Sequence, residues 1–221
     1  MLTQEILNKV APRAKAELTA ALLQQEPVLN EKYAINTPLR MAHFLAQTGH
    51  ESGGFTVIVE NLNYRVQALT ATFGSRITAA QAAQYGRNDA TGQKANQTAI
   101  ADIVYGGAWG TKNLGNTQPG DGSRFKGRGL IQVTGRSNYT AASTVIGKSL
   151  DDTVPYFGTP DGAVESAAWF WTARGLNALA DNDDIDRITR VINGGTNGLA
   201  DRKAYLERAK AALSATGDAV A

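Results

Sequence analysis

The sequence predicts a mainly α-helical fold with at most a short β-hairpin. Segments rich in strong helix formers, with apolar residues three and four positions apart, occupy most of the chain. Helix start and stop signals accompany several of them. Only one short segment, FTVIVE at 55–60, has the β-branched alternation that is typical of a strand. A chain of 221 residues is long enough for one substantial core or two closely joined lobes.

The helices are predicted in order along the chain, beginning with residues 13–25. In NTPLRMAHFLAQTGHESGG, Thr37 is a plausible N-cap, Pro38 takes the first helical position, and Gly53 and Gly54 follow the end.

Six more helices are predicted at 63–72, 94–105, 137–146, 160–174, 184–193 and 199–215. The last three have Asp161, Asp184 and Asp201 near their starts, where negative charge suits the helix dipole.

Two segments are predicted to lie outside regular structure. Residues 106–129 are crowded with Gly, Asn, Asp and Pro, so we expect a long loop that is either functional or mobile. The last eight residues, SATGDAVA, are expected to form a frayed tail.

Composition excludes several classes of function. The hydrophobic content of 43% and charged content of 19% are those of a soluble globular protein, and no apolar run approaches the roughly 18–20 residues that span a bilayer. The net charge of +2 comes without a Lys/Arg stripe, which argues against nucleic-acid binding. The absence of cysteine excludes disulfides and thiolate chemistry. The first residues lack the continuous apolar region of a signal peptide, so we expect synthesis in a cytoplasm.

Glu51 is the first candidate catalytic residue. It lies seven positions after Phe44 and therefore within about 20° of it on a helix, on the stripe that includes Met41, Leu45 and Thr48. Desolvation and the partial negative charge of the helix end would both raise its pKa, as a general acid requires. The alternative is a glutamate that packs its stem on the helix end and extends its charge into solvent.

Glu60 follows nine positions later, in VENLNY. A second carboxylate close to the first could act as base or nucleophile in glycoside hydrolysis. Spacing does not establish this pairing, since nine extended residues span up to roughly 30 Å. An ordinary solvated surface glutamate is the alternative.

Other chemistries fit the sequence poorly, and neither a metal nor a cofactor is expected. His43 and His50 do not form an H-E-x-x-H zinc motif, because Gly54 occupies the place of the second ligand; both are expected to be structural or to support other site residues. GRGLIQ at 127–132 lacks the last glycine of a dinucleotide fingerprint, and DNDDID at 181–186 lacks the central glycine and closing glutamate of a calcium loop.

Four motifs, in the order FLAQTGHESGGF, ENLNY, GRGLIQVTGRSNY and RVINGGTNGLADR, resemble glycoside hydrolase family 19, the chitinase family. More closely they resemble its phage-endolysin branch, which degrades bacterial peptidoglycan. The resemblance runs from about residue 3 to about residue 212 and includes ANQTAIADIVYGG and SAAWFWTARGLNALAD. It implies a lysozyme-like, two-lobed helical fold: a single catalytic domain over 1–221, with a smaller helical lobe at approximately 75–120. We expect a monomer.

The resemblance also assigns roles to residues. Glu51 matches the general acid, Glu60 the general base that activates water, and Thr134 a hydroxyl that helps to hold this water, where a serine is common in the family. Arg202 matches a cleft arginine that pairs with carboxylates, and its charge is expected to stabilise ionised Glu60. The candidate substrate-binding residues are His50, Tyr64, Gln132, Asn138, Tyr139, Asn193 and Arg202.

The implied function is an endolysin that hydrolyses β-1,4 bonds of peptidoglycan glycan strands by an inverting mechanism. Such a mechanism places the two carboxyl groups about 6.5–9.5 Å apart. Plant members generally have a longer acid-to-base connection and disulfides, and the lack of both here favours peptidoglycan over chitin. The alternatives are a chitinase, a lytic transglycosylase and a non-catalytic glycan-binding module. A membrane-permeabilising partner such as a holin is implied for access to the cell wall from the cytoplasm.

Overall fold

The computed structural model describes residues 2–215, and it confirms a mainly α-helical fold. Of the expected tail SATGDAVA, residues 216–221 lie outside this range. A 3₁₀ turn covers Gly74–Arg76, and the α-helices are α1 (Gln4–Val10), α2 (Ala16–Gln24), α3 (Glu26–Glu31), α4 (Pro38–Glu51), α5 (Val66–Phe73), α6 (Ala79–Tyr85), α7 (Gln97–Val104), α8 (Gly107–Leu114), α9 (Asp121–Arg124), α10 (Arg136–Ile146), α11 (Leu150–Tyr156), α12 (Pro160–Ala173), α13 (Leu176–Asp181), α14 (Ile185–Asn193) and α15 (Leu199–Ser214). None of the described helices is both long enough and apolar enough to cross a membrane.

The described residues form two compact units. The first unit comprises residues 2–58, 128–132 and 155–215. The second comprises Val59–Gly127 and Val133–Val154, so it contains the range 75–120 expected for a smaller lobe and extends beyond it on both sides.

Helix α4 is the central helix of the first unit. Thr37 caps its start by accepting a hydrogen bond from the backbone N–H of Arg40 at 3.2 Å, and Pro38 takes the first position, as predicted. Every residue from Met41 to Gly49 is buried, so α4 is surrounded by other elements instead of presenting one apolar stripe. It packs mainly against α15, and the ring of Phe44 meets Trp171 of α12 edge-on at 5.6 Å.

The second unit has its own apolar core, built on α5, α6 and α7. Helix α7 also packs against α9, and α5 packs against α6. Phe73, at the end of α5, makes edge contacts with Tyr64 and Tyr105, with ring centroids 5.3 and 6.4 Å apart. The core consists of Leu62, Leu69, Phe73, Ile77, Ala82, Ile100, Ala101 and Val104.

The predicted strand at 55–60 is wrong. The chain turns after α4, where the N–H groups of Thr56 and Val57 both donate to the carbonyl of Ser52 at 3.0 Å, and Phe55 has a φ of +58°. β-Branched residues favour a strand only where a neighbouring strand pairs with them. Within residues 55–60 only Val59 makes a bridge, and an isolated bridge is too short to form a strand.

Residues 106–129 are not the continuous loop that composition predicted, since α8 and α9 lie within them. The buried carboxylate of Asp121 accepts the N–H groups of Thr117 and Gln118, each at 3.0 Å, and forms a salt bridge with Arg136. Polar residues that suggested a mobile loop therefore bind the segment to α10. The sequence also left unpredicted five further short helices: α1, α3, α6, α11 and α13.

Candidate active site

Glu51 is the last residue of α4, and its position follows from how this helix ends. Gly53 and Gly54 adopt positive φ values of +62° and +77°, which glycine tolerates because it has no Cβ. The N–H of Gly54 donates to the carbonyl of Gly49 at 2.7 Å and closes the helix. The Glu51 side chain is 22% exposed, so it is largely but not completely buried, as the helical spacing predicted.

The Glu51 carboxylate accepts a hydrogen bond from Arg202. Nη2 of Arg202 lies 2.5 Å from Oε1 of Glu51, and the arginine side chain is only 1% exposed. The resemblance implied that this arginine pairs with carboxylates, and in the structure it pairs with Glu51; its expected effect on the charge of Glu60 stays a prediction. The reason for the pairing with Glu51 is local: α15 packs along α4 within the same unit, so Arg202 emerges beside the end of α4.

Gln47 holds the other side of the Arg202 guanidinium. Its Oε1 accepts from Nη1 of Arg202 at 2.5 Å, and its Nε2 donates to the hydroxyl of Thr189 at 3.1 Å. Gln47 was not among the residues predicted from the sequence to form the site. It lies four positions before Glu51, on the same face of a buried helix, and a polar residue there was the available signal.

His50 binds α15 to the end of α4. Its Nδ1 lies 2.6 Å from Oδ2 of Asp201, and its ring covers Gly198, where a Cβ would come within 2.2 Å of the ring. A structural or supporting role therefore accounts for His50. Direct binding of substrate by its half-buried ring stays a prediction.

In the second unit, two donors hold the carboxylate of Glu60. The Tyr105 hydroxyl donates a short hydrogen bond to Oε1, and the N–H of Gly127 donates to Oε2 at 3.2 Å. Asn61 and Asn63, the nearest side-chain amides in the sequence, do not serve as donors to Glu60. Instead, the side-chain oxygen of Asn61 accepts the backbone N–H of Asn63 at 3.0 Å, which uses these residues in a local turn.

Tyr105 is the site residue that the sequence analysis missed. Burial, followed by the charge of Glu60, raises the pKa of Tyr105 well above its usual range, so the hydroxyl keeps its proton and remains a donor. Tyr105 is the C-cap of α7, directly before Gly106 and Gly107. Its place in the motif ANQTAIADIVYGG was the only hint of a role.

The polar residues of IQVTGRSNY are divided between the two units. Gln132, in the first unit, has a φ of +56° and donates from Nε2 to the carbonyl of Gly129 at 3.0 Å. In the second unit, the half-buried Asn138 donates from Nδ2 to the carbonyl of Thr134 at 2.8 Å. Thr134 and Asn138 are therefore neighbours one turn apart.

Three candidate binding residues are placed differently from one another. Tyr139 is fully buried, and its hydroxyl donates to the carbonyl of Lys126 at 2.9 Å. A side chain buried in this way does not contact a substrate directly, so Tyr139 instead supports the backbone near Gly127. Tyr64 is half-buried against the second core. Asn193 ends α14 and is exposed.

The acidic segment DNDDID is used in ion pairs and a helix cap. Asp183 lies 2.7 Å from Nε2 of buried His43 and 2.6 Å from Nζ of Lys210, while Asp184 caps α14. Burial lowers the pKa of His43, although Asp183 opposes this shift. Within residues 2–215, no group of three or more His, Cys, Asp or Glu side chains is placed to hold a metal ion.

Comparisons with known proteins define the class of enzyme to which this chain belongs. No protein-family model matches the chain. A Haemophilus influenzae protein described as glycosyl hydrolase family 19 domain-containing is 34% identical over 204 residues, which cover 91% of this chain and 92% of that protein. The acidic 27 kDa endochitinase of Solanum lycopersicum is 38% identical over 116 residues, or 43% of this chain and 45% of that protein.

Solved structures share the fold. Chitinase C from Streptomyces griseus aligns with a TM-score of 0.60 at 19% identity, covering 96% of this chain and 92% of that one. Together, the comparisons define a glycoside hydrolase that acts on glycans. The chain belongs to glycosyl hydrolase family 19.

Proposed function

We propose that this enzyme hydrolyses β-1,4 glycosidic bonds of bacterial peptidoglycan, with Glu51 as general acid and Glu60 as general base. The observation that carries the assignment is the contrast between the two carboxyl groups. Glu60 has a donor on each oxygen, whereas Glu51 has one donor on Oε1 and no hydrogen-bond partner for Oε2 within its own unit.

The surroundings of Glu60 suit a base. An ionised carboxylate only accepts hydrogen bonds, and both groups that contact Glu60 are donors. Each carboxylate oxygen keeps a further lone pair with which it can accept a proton from water. Tyr105 and Gly127 therefore fix the orientation of the base without occupying all its acceptor sites.

The contacts of Glu51 leave one of its carboxyl oxygens available for proton transfer. Arg202 occupies Oε1, so in the proposed role the transferred proton leaves from Oε2. Because Arg202 is itself buried and held by Gln47, the carboxyl plane is oriented as well as paired. Arg202 thus serves as a positioning residue for the acid.

In the proposed reaction Glu51 gives its proton to the leaving glycosidic oxygen as the bond from that oxygen to the anomeric carbon breaks. Glu60 takes a proton from a water molecule, whose oxygen forms the new bond to the anomeric carbon from the opposite face. The Thr134 hydroxyl helps to hold this water. The mechanism needs the two carboxyl groups about 6.5–9.5 Å apart at the bond that is cut.

Two features of the chain support peptidoglycan as the substrate. Only eight residues separate Glu51 from Glu60, and the chain has no cysteine, whereas plant members of the family generally have a longer acid-to-base connection and disulfides. Chitin is the second candidate, because the tomato relative is an endochitinase and the Streptomyces protein of the same fold is a chitinase.

The decisive experiment is mass spectrometry of products from purified peptidoglycan and, in parallel, from an N-acetylglucosamine hexamer. We expect soluble fragments with reducing ends from peptidoglycan, no anhydro sugars, and early products in the inverted anomeric form by NMR. Anhydro ends would instead identify a lytic transglycosylase. Cleavage of the hexamer alone would identify a chitinase.

Matched variants test the two roles. Glu51→Gln and Glu60→Gln preserve side-chain shape but remove the proton donor and the base, so each is expected to lower kcat by about 10²–10⁴-fold with the fold retained. Gln substitution of Glu17, an exposed residue of α2, is the control. Wild-type activity in folded Glu60→Gln would leave Glu51 acting alone.

The proposal includes the route to the wall, which rests on the resemblance to phage endolysins. The enzyme is made in the cytoplasm and reaches the periplasm through a membrane opened by a holin-like partner. Expression in a bacterial cytoplasm should leave cells intact until the membrane is permeabilised, and Glu51→Gln should then prevent lysis. Lysis without permeabilisation would contradict this route.

A further inference from the structure

A groove lies in the first unit, lined partly by the residues directly after Glu51 and partly by residues from the two ends of the chain. It has a volume of about 490 Å³. We call it the basic groove, and it is lined by Lys9, Arg13, Arg208, Tyr205, Gly53 and Gly54, together with Ala11 and Pro12.

Positive charge in the basic groove is only partly compensated. Lys9 forms an ion pair with Glu5, with Nζ 2.8 Å from Oε1. Arg208 contacts neutral groups: its Nε donates to the carbonyl of Val10 at 3.0 Å, and its guanidinium stacks on Tyr205 at 4.3 Å. Exposed Arg13 has neither a hydrogen bond nor an ion pair with any residue of the described range 2–215.

Tyr205 connects the basic groove to the end of α4. A Cβ on Gly49 or on Gly54 would come within 3.0 Å of the Tyr205 side chain, so the ring packs directly on this backbone. Gly54 is three residues from Glu51, a separation of at most about 10 Å along the chain. A ligand in the groove therefore lies within reach of a sugar held at Glu51.

We propose that the basic groove binds carboxylate groups on the peptide branches of peptidoglycan. This inference rests on the proposed function, since it concerns the same substrate. Arginine suits carboxylates because its planar guanidinium donates two parallel hydrogen bonds. Chitin is an uncharged polymer of N-acetylglucosamine and offers the groove no anion, so the groove would add selectivity for peptide-bearing strands.

The first test compares two forms of one substrate: intact peptidoglycan, and glycan strands from which an amidase has removed the peptides. Arg13→Gln removes the charge that has no partner. Lys94→Gln is the matched control, because Lys94 is an exposed cation of the second unit that likewise has no such contact with the described residues. Both variants change the net charge equally.

For Arg13→Gln on intact peptidoglycan we expect KM to rise by about 2- to 5-fold, the range that an exposed ion pair supplies. On stripped strands its KM should equal that of wild type, and Lys94→Gln should behave as wild type on both. An equal loss on stripped strands, or no difference between the two variants, would overturn the proposal.

The second test does not depend on catalysis. Purified peptide branches are titrated into the Glu51→Gln protein while the backbone resonances of Gly53 and Gly54 are followed by NMR. We expect chemical-shift changes that saturate with peptide concentration and that weaken when the peptide carboxyls are amidated. In a double variant that carries both Glu51→Gln and Arg13→Gln, these changes should be absent. Absence of shifts in the Arg13-containing protein would refute the groove. Shifts there, together with a wild-type enzyme that cleaves neither peptidoglycan nor the N-acetylglucosamine hexamer, would refute only the proposed function.

Discussion

At the scale of single residues, Glu60 is held by groups distant from it in sequence. Tyr105 lies 45 residues away and Gly127 lies 67 away, and each donates to one carboxylate oxygen. Glu51 shows the same dependence on distant residues, because Arg202 reaches it from 151 residues further along the chain. Each carboxylate thus acquires its chemistry from partners that its own segment does not supply.

Tyr105→Phe tests this dependence. Removing the hydroxyl takes away one of the two donors that orient Glu60, so we expect kcat to fall by about 10-fold, equivalent to about 1.4 kcal/mol of transition-state stabilisation. Steady-state kinetics on peptidoglycan measure the change. Tyr85→Phe is the control, because Tyr85 also packs against the second core. Equal activity in the two variants would mean that the hydroxyl contact does not serve catalysis.

At the scale of elements, the start of α15 is bound to the end of α4 through a close contact between Gly198 and His50. Gly198 has a φ of +71°, and the His50 ring occupies the space in which a side chain would stand. The same two helices carry Arg202 and Glu51. The contact therefore sets the relative position of this charged pair.

Gly198→Ala is expected to lower both thermal stability and activity more than Gly194→Ala. Both glycines have positive φ, so both substitutions cost about 1–2 kcal/mol of backbone strain, but only an alanine at 198 collides with His50. Thermal unfolding and kinetics measure the difference. In a His50→Ala background the excess loss of stability should disappear, and its persistence would exclude the collision as the cause.

At the scale of the whole molecule, stability in acid depends on buried carboxylates such as Glu165. Burial raises the pKa of Glu165. Hydrogen bonds from Lys32, Tyr156 and Tyr33 lower this pKa by a larger amount, so the net shift is downward. A folded pKa below the unfolded value of about 4.3 contributes stability above that pH. The contribution is lost as the pH falls through the folded pKa.

Glu165→Gln should therefore destabilise the protein by about 1.5–3 kcal/mol at pH 7, the usual contribution of hydrogen bonds to a charged group. Near pH 3 the difference from wild type should shrink, because the unfolded chain then binds a proton at this carboxylate, which the native carboxylate binds only at lower pH. Urea unfolding at the two pH values measures it. A deficit that is constant with pH would assign the loss to packing instead of charge.

Metal removal is a further test on the whole molecule. Among residues 2–215, no three or more His, Cys, Asp or Glu side chains are placed together to hold a metal ion. The proposed chemistry needs only carboxyl groups and water. Treatment with EDTA is expected to leave the rate on peptidoglycan unchanged. Loss of activity that zinc or calcium specifically restores would contradict this mechanism.

The sequence by itself determined the elements whose signals are local. Thr37, Pro38 and the glycines at 53 and 54 defined α4, because capping and positive φ depend on neighbouring residues only. Helical spacing likewise placed Glu51 on a buried face. These interactions operate within a few residues, so the amino-acid pattern contains all the information needed to predict them.

Tertiary structure decided what depends on partners far along the chain. The segment 55–60 has strand-forming residues but no neighbouring strand, and 106–129 is bound to α10 by a salt bridge that composition does not reveal. The resemblance implied that Arg202 pairs with carboxylates, but neither its choice of Glu51 nor the pairing of Tyr105 with Glu60 was visible in the sequence. Hydrogen bonds and ion pairs act over about 3 Å, and only the folded chain determines which distant residues come within that distance.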